Sequence, residues 1–162
     1  MIGYDEFRRG MRRLAAGVSI ISTQSTAGPL GITATAVTSL TPDPPSVLCC
    51  VNKNLVAGNA IRQNRSFCLN LLRQQHHSLA RRFAGMDGVS GTAKFDEGAW
   101  VTLASGTPAL ADSLVSFDCQ LDRVVEAGTH HVLIGVIHEI RLGELGNPLV
   151  YCGGNFTSLL PH

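Results

Sequence analysis

Two adjacent histidines, His130 and His131, begin an apolar run directly after a glycine turn in the segment AGTHHVLIG (127 to 135). A histidine can bind a metal, transfer a proton or fill a polar position in a core. In a β-strand, neighbouring side chains point to opposite faces, so His130 groups with Val132 and His131 with Leu133. The two rings therefore cannot share one task, and the pattern alone is more typical of structural histidines.

The remaining histidines do not build a metal site either. His76 and His77 lie on a predicted helix, where adjacent side chains point about 100° apart. His130 and His138 share a strand face but are separated by roughly 26 Å in an extended strand. The sequence also has no HExxH, GxSxG or paired-carboxylate signature. We therefore predict no metal ion and no nucleophilic residue.

Small side chains dominate the segment GITATAVTSLTPDPPSV (31 to 47). They would let the backbone approach a flat partner and offer it N–H and C=O groups, and this is the lining that the edge of a flavin ring needs. The alternative is a tightly packed central strand of small residues, which composition alone favours.

A second candidate segment, CCVNKNLVAGNAI (49 to 61), runs from a strand end through Asn52, Lys53 and Asn54 into a helix. Unpaired N–H groups and the helix dipole attract phosphate at such a position, and Lys53 adds a full positive charge. Neither a Walker loop nor a GxGxxG motif occurs in the chain. A nucleotide bound here would need neither a P-loop nor a Rossmann unit.

The elements that must position these segments are mainly strands. Glycine and proline clusters separate short β-rich runs, and a hairpin turn is predicted over Ala127 and Gly128. The predicted strands are 18 to 24, 30 to 37, 46 to 51, 67 to 72, 113 to 128, 129 to 142 and 148 to 152. The predicted helices cover 57 to 64 and 72 to 85, and residues 86 to 112 form a surface loop. This pattern fits a closed or nearly closed β-barrel with helices packed outside.

The chain opens on an amphipathic helix. Its apolar residues recur at helical spacing, at Tyr4, Phe7, Met11, Leu14 and Ala15. Arginines lie between them, at Arg8, Arg9, Arg12 and Arg13. An anion-binding patch is one interpretation of the arginines, but charges opposite an apolar stripe are usually a solvated face, which is the interpretation we adopt.

Composition limits the class of protein. The 162 residues suit one domain, 1 to 162, and the charged fraction of 15% is low enough to predict a homo-oligomer. A net charge of +1 gives no reason to expect a nucleic-acid or membrane partner. The five cysteines include no CxxC pair and, with no signal peptide or membrane span in the sequence, predict reduced thiols in the cytoplasm.

Taken in order, these segments resemble the small flavin reductase family, the reductase components of two-component flavin monooxygenases. The resemblance runs almost the full length of the chain. It is carried by FRRGMRRLAAGVSIIST, GITATAVTSLTPDPPSVL, FCLNLL, RRFAG, KF, TPALADSLVSFDC, GTHHVLIG and PLVYCGGNF.

The resemblance implies an FMN-binding split β-barrel, mainly β and Greek-key-like with a few peripheral helices. It implies a homodimer with two flavin sites near the subunit interface. It also implies an NAD(P)H:flavin oxidoreductase, in which NADH, or NADPH, passes a hydride from nicotinamide C4 to N5 of FAD or FMN. The reduced flavin would then leave for a separate monooxygenase that hydroxylates an aromatic compound. The alternative is a non-catalytic electron carrier or flavin store on the same barrel.

The resemblance also assigns positions to the site. The ring and ribityl chain would be lined by Thr33, Ala34, Thr35, Ala36, Val37, Ser39 and Leu40. The phosphate side would be reached by Cys50, Val51, Asn52, Lys53 and Asn54, and the rest of the nucleotide by Phe83, Ala84 and Gly85. His130, as the catalytic residue, would hold the nicotinamide beside the flavin, and Tyr151 would contact the cofactor.

The turn before His130 departs from the family pattern. The family usually has Gly-Asp-His here, whereas this chain has Gly128, Thr129 and His130. Without the aspartate, nothing local favours a permanently charged imidazole, so we expect His130 to act by hydrogen bonding and packing rather than by proton transfer.

Overall fold

A computed structural model describes residues 1–159, and in this part the chain is mainly β. The helices are α1 (Tyr4–Met11), α2 (Val56–Asn64) and α3 (His77–Phe83), with 3₁₀ turns at Gln74–His76 and Gly91–Asp96. The strands are β1 (Ala16–Gly17), β2 (Ser19–Ser25), β3 (Gly28–Ala34), β4 (Val37–Pro42), β5 (Pro45–Asn52), β6 (Ser66–Leu71), β7 (Trp100–Thr102), β8 (Pro108–Leu110), β9 (Val115–Ala127), β10 (His130–Leu142), β11 (Leu149–Cys152) and β12 (Asn155–Ser158). None of the described helices has the length and apolar character needed to cross a bilayer.

The main sheet has seven antiparallel strands in the order β3-β2-β6-β9-β10-β5-β4. Its two edge strands, β3 and β4, are consecutive in the chain and are joined only by Thr35 and Ala36. Since two residues span little more than one strand spacing, the sheet must curl until its edges meet at this link. We call the two residues Thr35 and Ala36 the seam.

Apolar side chains from the inner face of the curled sheet form the larger core. The most deeply buried include Ile21, Cys49, Phe67 and Leu133, and α2 closes one end with Ile61. Gly135 of β10 is buried against Phe67, and its lack of a side chain is what admits the phenyl ring. Phe67 therefore sets how closely β10 approaches the middle of the barrel.

A second core lies between the sheet, α3 and β11. It contains Ile20, Leu79, Phe83, Leu110 and Leu149, all of them at most 3% exposed. The partly buried aromatic rings of Phe95, Trp100, Tyr151 and Phe156 pack against it. The segment after α3 is thereby held on the barrel by aromatic packing.

A buried amide joins the two cores. Asn70 on β6 is fully buried, and its Nδ2 donates to the Ile20 carbonyl at 3.1 Å and to the Ser22 hydroxyl at 3.0 Å. Its Oδ1 accepts from the Leu110 N–H at 2.8 Å and from the Ser116 hydroxyl at 2.9 Å. A fully satisfied buried amide fixes the relative positions of the strands that it connects.

Most of the predicted strands and helices are confirmed, with three corrections. The strand predicted over 30 to 37 is broken at the seam, because the chain changes from one sheet edge to the other there. The loop predicted over 86 to 112 contains a 3₁₀ turn and the β7–β8 pair, which Phe95 and Trp100 hold against the core. The opening helix is shorter than its apolar pattern, and none of its residues is buried.

We predict that Gly135→Ala destabilises the fold. An added Cβ would lie 2.5 Å from Cζ of Phe67 and 3.0 Å from Cβ of Cys119, so a fully buried ring must move. Overpacking of this kind costs about 1–3 kcal/mol in the free energy of unfolding, measurable by urea denaturation. The matched control is Gly17→Ala, where a Cβ meets nothing within 4 Å. Equal stability of the two variants would contradict the packing described here.

Candidate functional site

The seam exposes backbone groups at the open edge of the barrel. Thr35 is half-buried and Ala36 is exposed, and their carbonyls accept from the N–H groups of Val37 and Cys50, each at 3.0 Å. The N–H groups of Thr35 and Ala36 themselves have no hydrogen-bond partner within residues 1–159. Two free donors beside small side chains suit the acceptor-rich edge of a planar heterocycle.

A cavity of about 360 Å³ opens at the seam. The seam residues form one wall, together with Tyr151 and Ala16, and α1 forms the other. The helix contributes Tyr4, Phe7, Arg8 and Met11, and Arg12 and Leu14 follow it. The half-buried ring of Tyr151 is held by Phe156, with the ring centroids 5.4 Å apart.

The small residues on either side of the seam face different surroundings. Thr33 donates its hydroxyl to the Ala80 carbonyl at 2.7 Å, and Ala34 lies in the core, so their side chains serve packing. Val37 also packs against the core, whereas Ser39 and Leu40 on β4 are exposed. Of the predicted ring-binding segment, the structure thus leaves the seam and Ser39 to Leu40 accessible.

The end of β5 brings predicted residues next to the histidine turn. Asn52 pairs in register with His130, and the Lys53 N–H donates to the Thr129 carbonyl at 3.0 Å. The Asn52 side-chain oxygen accepts from the Asn54 N–H at 2.9 Å, which turns the chain towards α2. Cys50 is half-buried on the outer side of the strand, and Val51 is in the core.

Lys53 already has a charged partner. Its amine lies 3.0 Å from Glu126 Oε2, and this hydrogen bond lowers the pKa of the Glu126 carboxyl. His131 Nε2 lies 3.9 Å from the other carboxylate oxygen. A phosphate at Lys53 would therefore compete with the Glu126 carboxylate, which weakens the predicted role of this lysine.

A second cation, Lys94, lies at the start of α2, where the sequence analysis named only Lys53. Lys94 lines a cavity of about 250 Å³ with Ser90, Gly91, residues 30–32 of β3 and residues 55–57. Leu55 provides no side-chain cap for α2, and the N–H groups of Val56 and Ala57 have no partner in the described chain. Lys94 belongs to KF, one of the segments that carry the family resemblance, but nothing in the sequence shows that the Lys94 side chain would reach α2.

Lys94 also connects this cavity to the predicted RRFAG turn. Its amine donates to the Phe83 carbonyl at 3.1 Å and lies 5.9 Å from the centroid of the Phe83 ring. Partial burial lowers the pKa of the Lys94 amine through desolvation. Phe83 itself is buried, while Ala84 and Gly85 are exposed, with Gly85 at a φ of +75° that favours glycine.

The two histidines face opposite sides of β10, as the strand pattern predicted. His130 is exposed, and its Nδ1 lies 2.9 Å from the Thr129 hydroxyl, so a neutral group stands where the family has a carboxylate. His131 is only 4% exposed and lies on the inner face of the strand beside buried Leu133. Only His130 is accessible to a ligand.

The site has no evident group for covalent catalysis. Burial raises the pKa of Cys49 and of Cys68 to about 12, so both thiols stay protonated at neutral pH. Residues 1–159 contain no cluster of three or more His, Cys, Asp or Glu residues that could hold a metal ion. The accessible groups can bind and orient ligands, so the chemistry must be supplied by what they bind.

Comparison with known proteins identifies the family. The model of the flavin reductase like domain matches residues 11–160. The chain belongs to this family. It is 38% identical over 146 residues to FMN reductase (NADH) RutF 2 of Rhizobium rhizogenes, covering 90% of this chain and 83% of that protein. It is 37% identical to the 4-hydroxyphenylacetate 3-monooxygenase reductase component of Pseudomonas aeruginosa, covering 94% and 90%.

Solved structures agree with this assignment. Nitrilotriacetate monooxygenase component B from Mycobacterium thermoresistibile superposes with a TM-score of 0.89 at 30% identity, covering 97% of this chain and 87% of that one. The NADH:FAD oxidoreductase SgcE6 of Streptomyces globisporus superposes with a TM-score of 0.90 at 27% identity, covering 99% and 98%. The predicted fold class, family and enzyme class, a flavin reductase that works with a nicotinamide nucleotide, are confirmed.

Proposed function

We propose that this flavin reductase oxidises NADH, with NADPH as the alternative donor, and releases reduced FMN or FAD to a separate monooxygenase that hydroxylates an aromatic compound. The names of its relatives support NADH as the reductant and an oxygenase as the recipient. The observation that carries the proposal is the seam, with its two free backbone donors beside an open cavity.

The two cavities provide the two ends of a flavin site. The seam would bind the ring through the N–H groups of Thr35 and Ala36, with Ser39 and Leu40 beside it. Lys94 and the start of α2 would bind the phosphate, with Asn54 next to them. Ile32 and Thr35 are three residues apart, about 10 Å in a strand, which suits a ribityl phosphate between them. The free donors at the seam suit the ring edge of a flavin, and the amine of Lys94 with the free N–H groups of α2 suits its phosphate.

Bound flavin would supply the hydride-accepting atom, N5. The chain's own contribution is to hold two ring systems in contact and in the correct orientation. His130 is the accessible side chain on β10 next to Asn52, and we propose that it orients the nicotinamide amide by a hydrogen bond. Thr129 fixes the imidazole at 2.9 Å without adding charge, so no proton transfer is required of His130.

We further propose a homodimer formed through the outer face of β5 and β10. Leu48, Cys50, Val132, Ile134 and Val136 alternate with the core residues of these strands and remain half-exposed. The helices α2 and α3 pack against β2, β3 and β6 instead. A strand that is apolar on both faces is typical of a sheet covered on both sides, and a second copy would cover this face isologously.

We also propose a cytoplasmic location. The five cysteines Cys49, Cys50, Cys68, Cys119 and Cys152 are all unpaired in the described chain. Reduced thiols are typical of the cytoplasm, where NADH and the flavins are available.

Flavin titration tests the proposed site. Ala36→Trp should abolish the binding of both FMN and riboflavin, because the indole would fill the seam. Lys94→Met should weaken FMN binding about tenfold and leave riboflavin binding unchanged, because only FMN carries the phosphate. Flavin fluorescence measures both affinities, and Lys53→Met is the matched control for Lys94. A larger loss of FMN affinity in Lys53→Met would place the phosphate at the end of β5.

Turnover assays test the function and the role of His130. The native protein should oxidise NADH steadily only when free flavin is present, whereas a carrier would bind flavin without turnover. His130→Ala should keep flavin affinity and lose about tenfold or more in kcat/KM for NADH. His131→Ala should change neither, and because His131 is buried, the Tm of this variant is measured in parallel. The reverse pattern would assign the role to His131.

The oligomeric state tests the proposed interface. The native protein should sediment as a dimer at micromolar concentration, and Ile134→Asp should give a folded monomer because the charge would be buried between copies. Val132→Lys is a second variant at the same face. Leu145→Asp is the control, since Leu145 is fully exposed on a loop and lies outside the sheet. A native monomer would exclude the interface.

A further inference from the structure

The opening helix α1 leaves its apolar stripe uncovered. Tyr4 is 75% exposed, Phe7 52%, Met11 49% and Leu14 61%. The sequence analysis interprets the arginines as a solvated face, and such a face normally lies opposite a stripe that packs on the rest of the protein. Here the stripe lines the open cavity at the seam instead, so the arginines beside it face a cavity as well as solvent.

Two of the four arginines belong to the cavity and two do not. Arg8 and Arg12 are one helical turn apart and line the cavity with Phe7 and Met11, whereas Arg9 and Arg13 are not part of its wall. The guanidinium groups of Arg8 and Arg12 form no salt bridge or hydrogen bond with any described residue. Two unpaired cations at one turn's spacing suit an anion with two charged groups.

The position of the cavity indicates which anion. Hydride transfer requires the nicotinamide ring to lie against the flavin, so the rest of the dinucleotide must leave the seam along a surface that begins there. The cavity begins at Thr35 and Ala36 and continues along α1, whose eight residues are about 12 Å long. The flavin phosphate has its own cation, Lys94, at the other cavity. Arg8 and Arg12 are therefore available to the reductant.

We propose that α1 is the binding surface for the ADP half of the nicotinamide nucleotide. Arg8 and Arg12 bind the diphosphate, and the exposed rings of Tyr4 and Phe7 stack on the adenine. The nicotinamide then points into the seam beside Ala36 and Tyr151. This assignment rests on the proposed function and makes Arg8 and Arg12 determinants of affinity for the reductant, with no part in flavin binding.

The test compares two double variants on the same helix. Arg8→Ala/Arg12→Ala should raise the KM for NADH about tenfold or more with FMN as the flavin, while kcat stays within about twofold and the affinity for FMN is unchanged. Arg9→Ala/Arg13→Ala should leave the KM for NADH as in the native protein. Since no residue of α1 is buried, both variants should keep the native Tm. Arg8→Lys/Arg12→Lys should recover part of the loss, because charge is kept but the bidentate geometry is not.

Two ligands distinguish direct binding of the diphosphate by Arg8 and Arg12 from an indirect effect of these substitutions on turnover. ADP-ribose, which carries no nicotinamide, should bind the native protein in calorimetry and bind the Arg8→Ala/Arg12→Ala variant about tenfold more weakly. Dihydronicotinamide riboside, which carries no phosphate, should be oxidised by the native and variant proteins with equal kcat/KM.

The remaining outcomes would overturn the assignment. A loss of FMN affinity in Arg8→Ala/Arg12→Ala would place the flavin against α1. If the native protein is a dimer and this variant is a monomer, α1 is a subunit contact instead. If Arg8→Ala/Arg12→Ala changes neither the KM for NADH nor the binding of ADP-ribose, then Arg8 and Arg12 do not bind the diphosphate. Absence of flavin-dependent NADH oxidation in the native protein would refute the proposed function. The binding of ADP-ribose would still test, independently of turnover, whether α1 and the cavity at the seam bind the ADP half.

Discussion

The link between β3 and β4 is the constraint on which the remaining structure depends. Seven strands form one sheet, yet its two edges are separated in the chain by Thr35 and Ala36 alone. The sheet must therefore curl into a barrel with an open seam at these residues. Backbone groups that an ordinary strand would pair within the sheet are left free at this position, and this is why we propose the binding site there.

The same curvature gives the sheet an inner and an outer face, and each face packs against a different core. The inner face is filled by packed side chains around Phe67, and the second core holds α3 and the aromatic segment after it. That segment carries Lys94 to the uncapped start of α2, although Lys94 and α2 are far apart in the chain. Packing of Phe83, Phe95 and Trp100 therefore determines where the positive charge of the site is placed.

The candidate site offers groups that can position ligands rather than reactive side chains. The buried thiols of Cys49 and Cys68 are protonated, His131 is enclosed, and the accessible His130 has a neutral partner in Thr129. A site of this kind suits a reaction whose bonds are made and broken between two bound nucleotides. It also leaves specificity to the walls of the two cavities, which the chain builds from elements distant in sequence.

The sequence by itself determined the periodic features. Alternation along 129 to 142 placed His130 and His131 on opposite faces, and the order of the segments identified the family, because both depend on local pattern. Tertiary structure decided the rest. The break at Thr35 and Ala36, the pairing of Lys53 with Glu126, the approach of Lys94 to α2 and the exposure of the α1 stripe all depend on contacts between residues far apart in the chain. Local pattern carries no information on such contacts, since they are fixed by how the sheet curls and what its two faces bury.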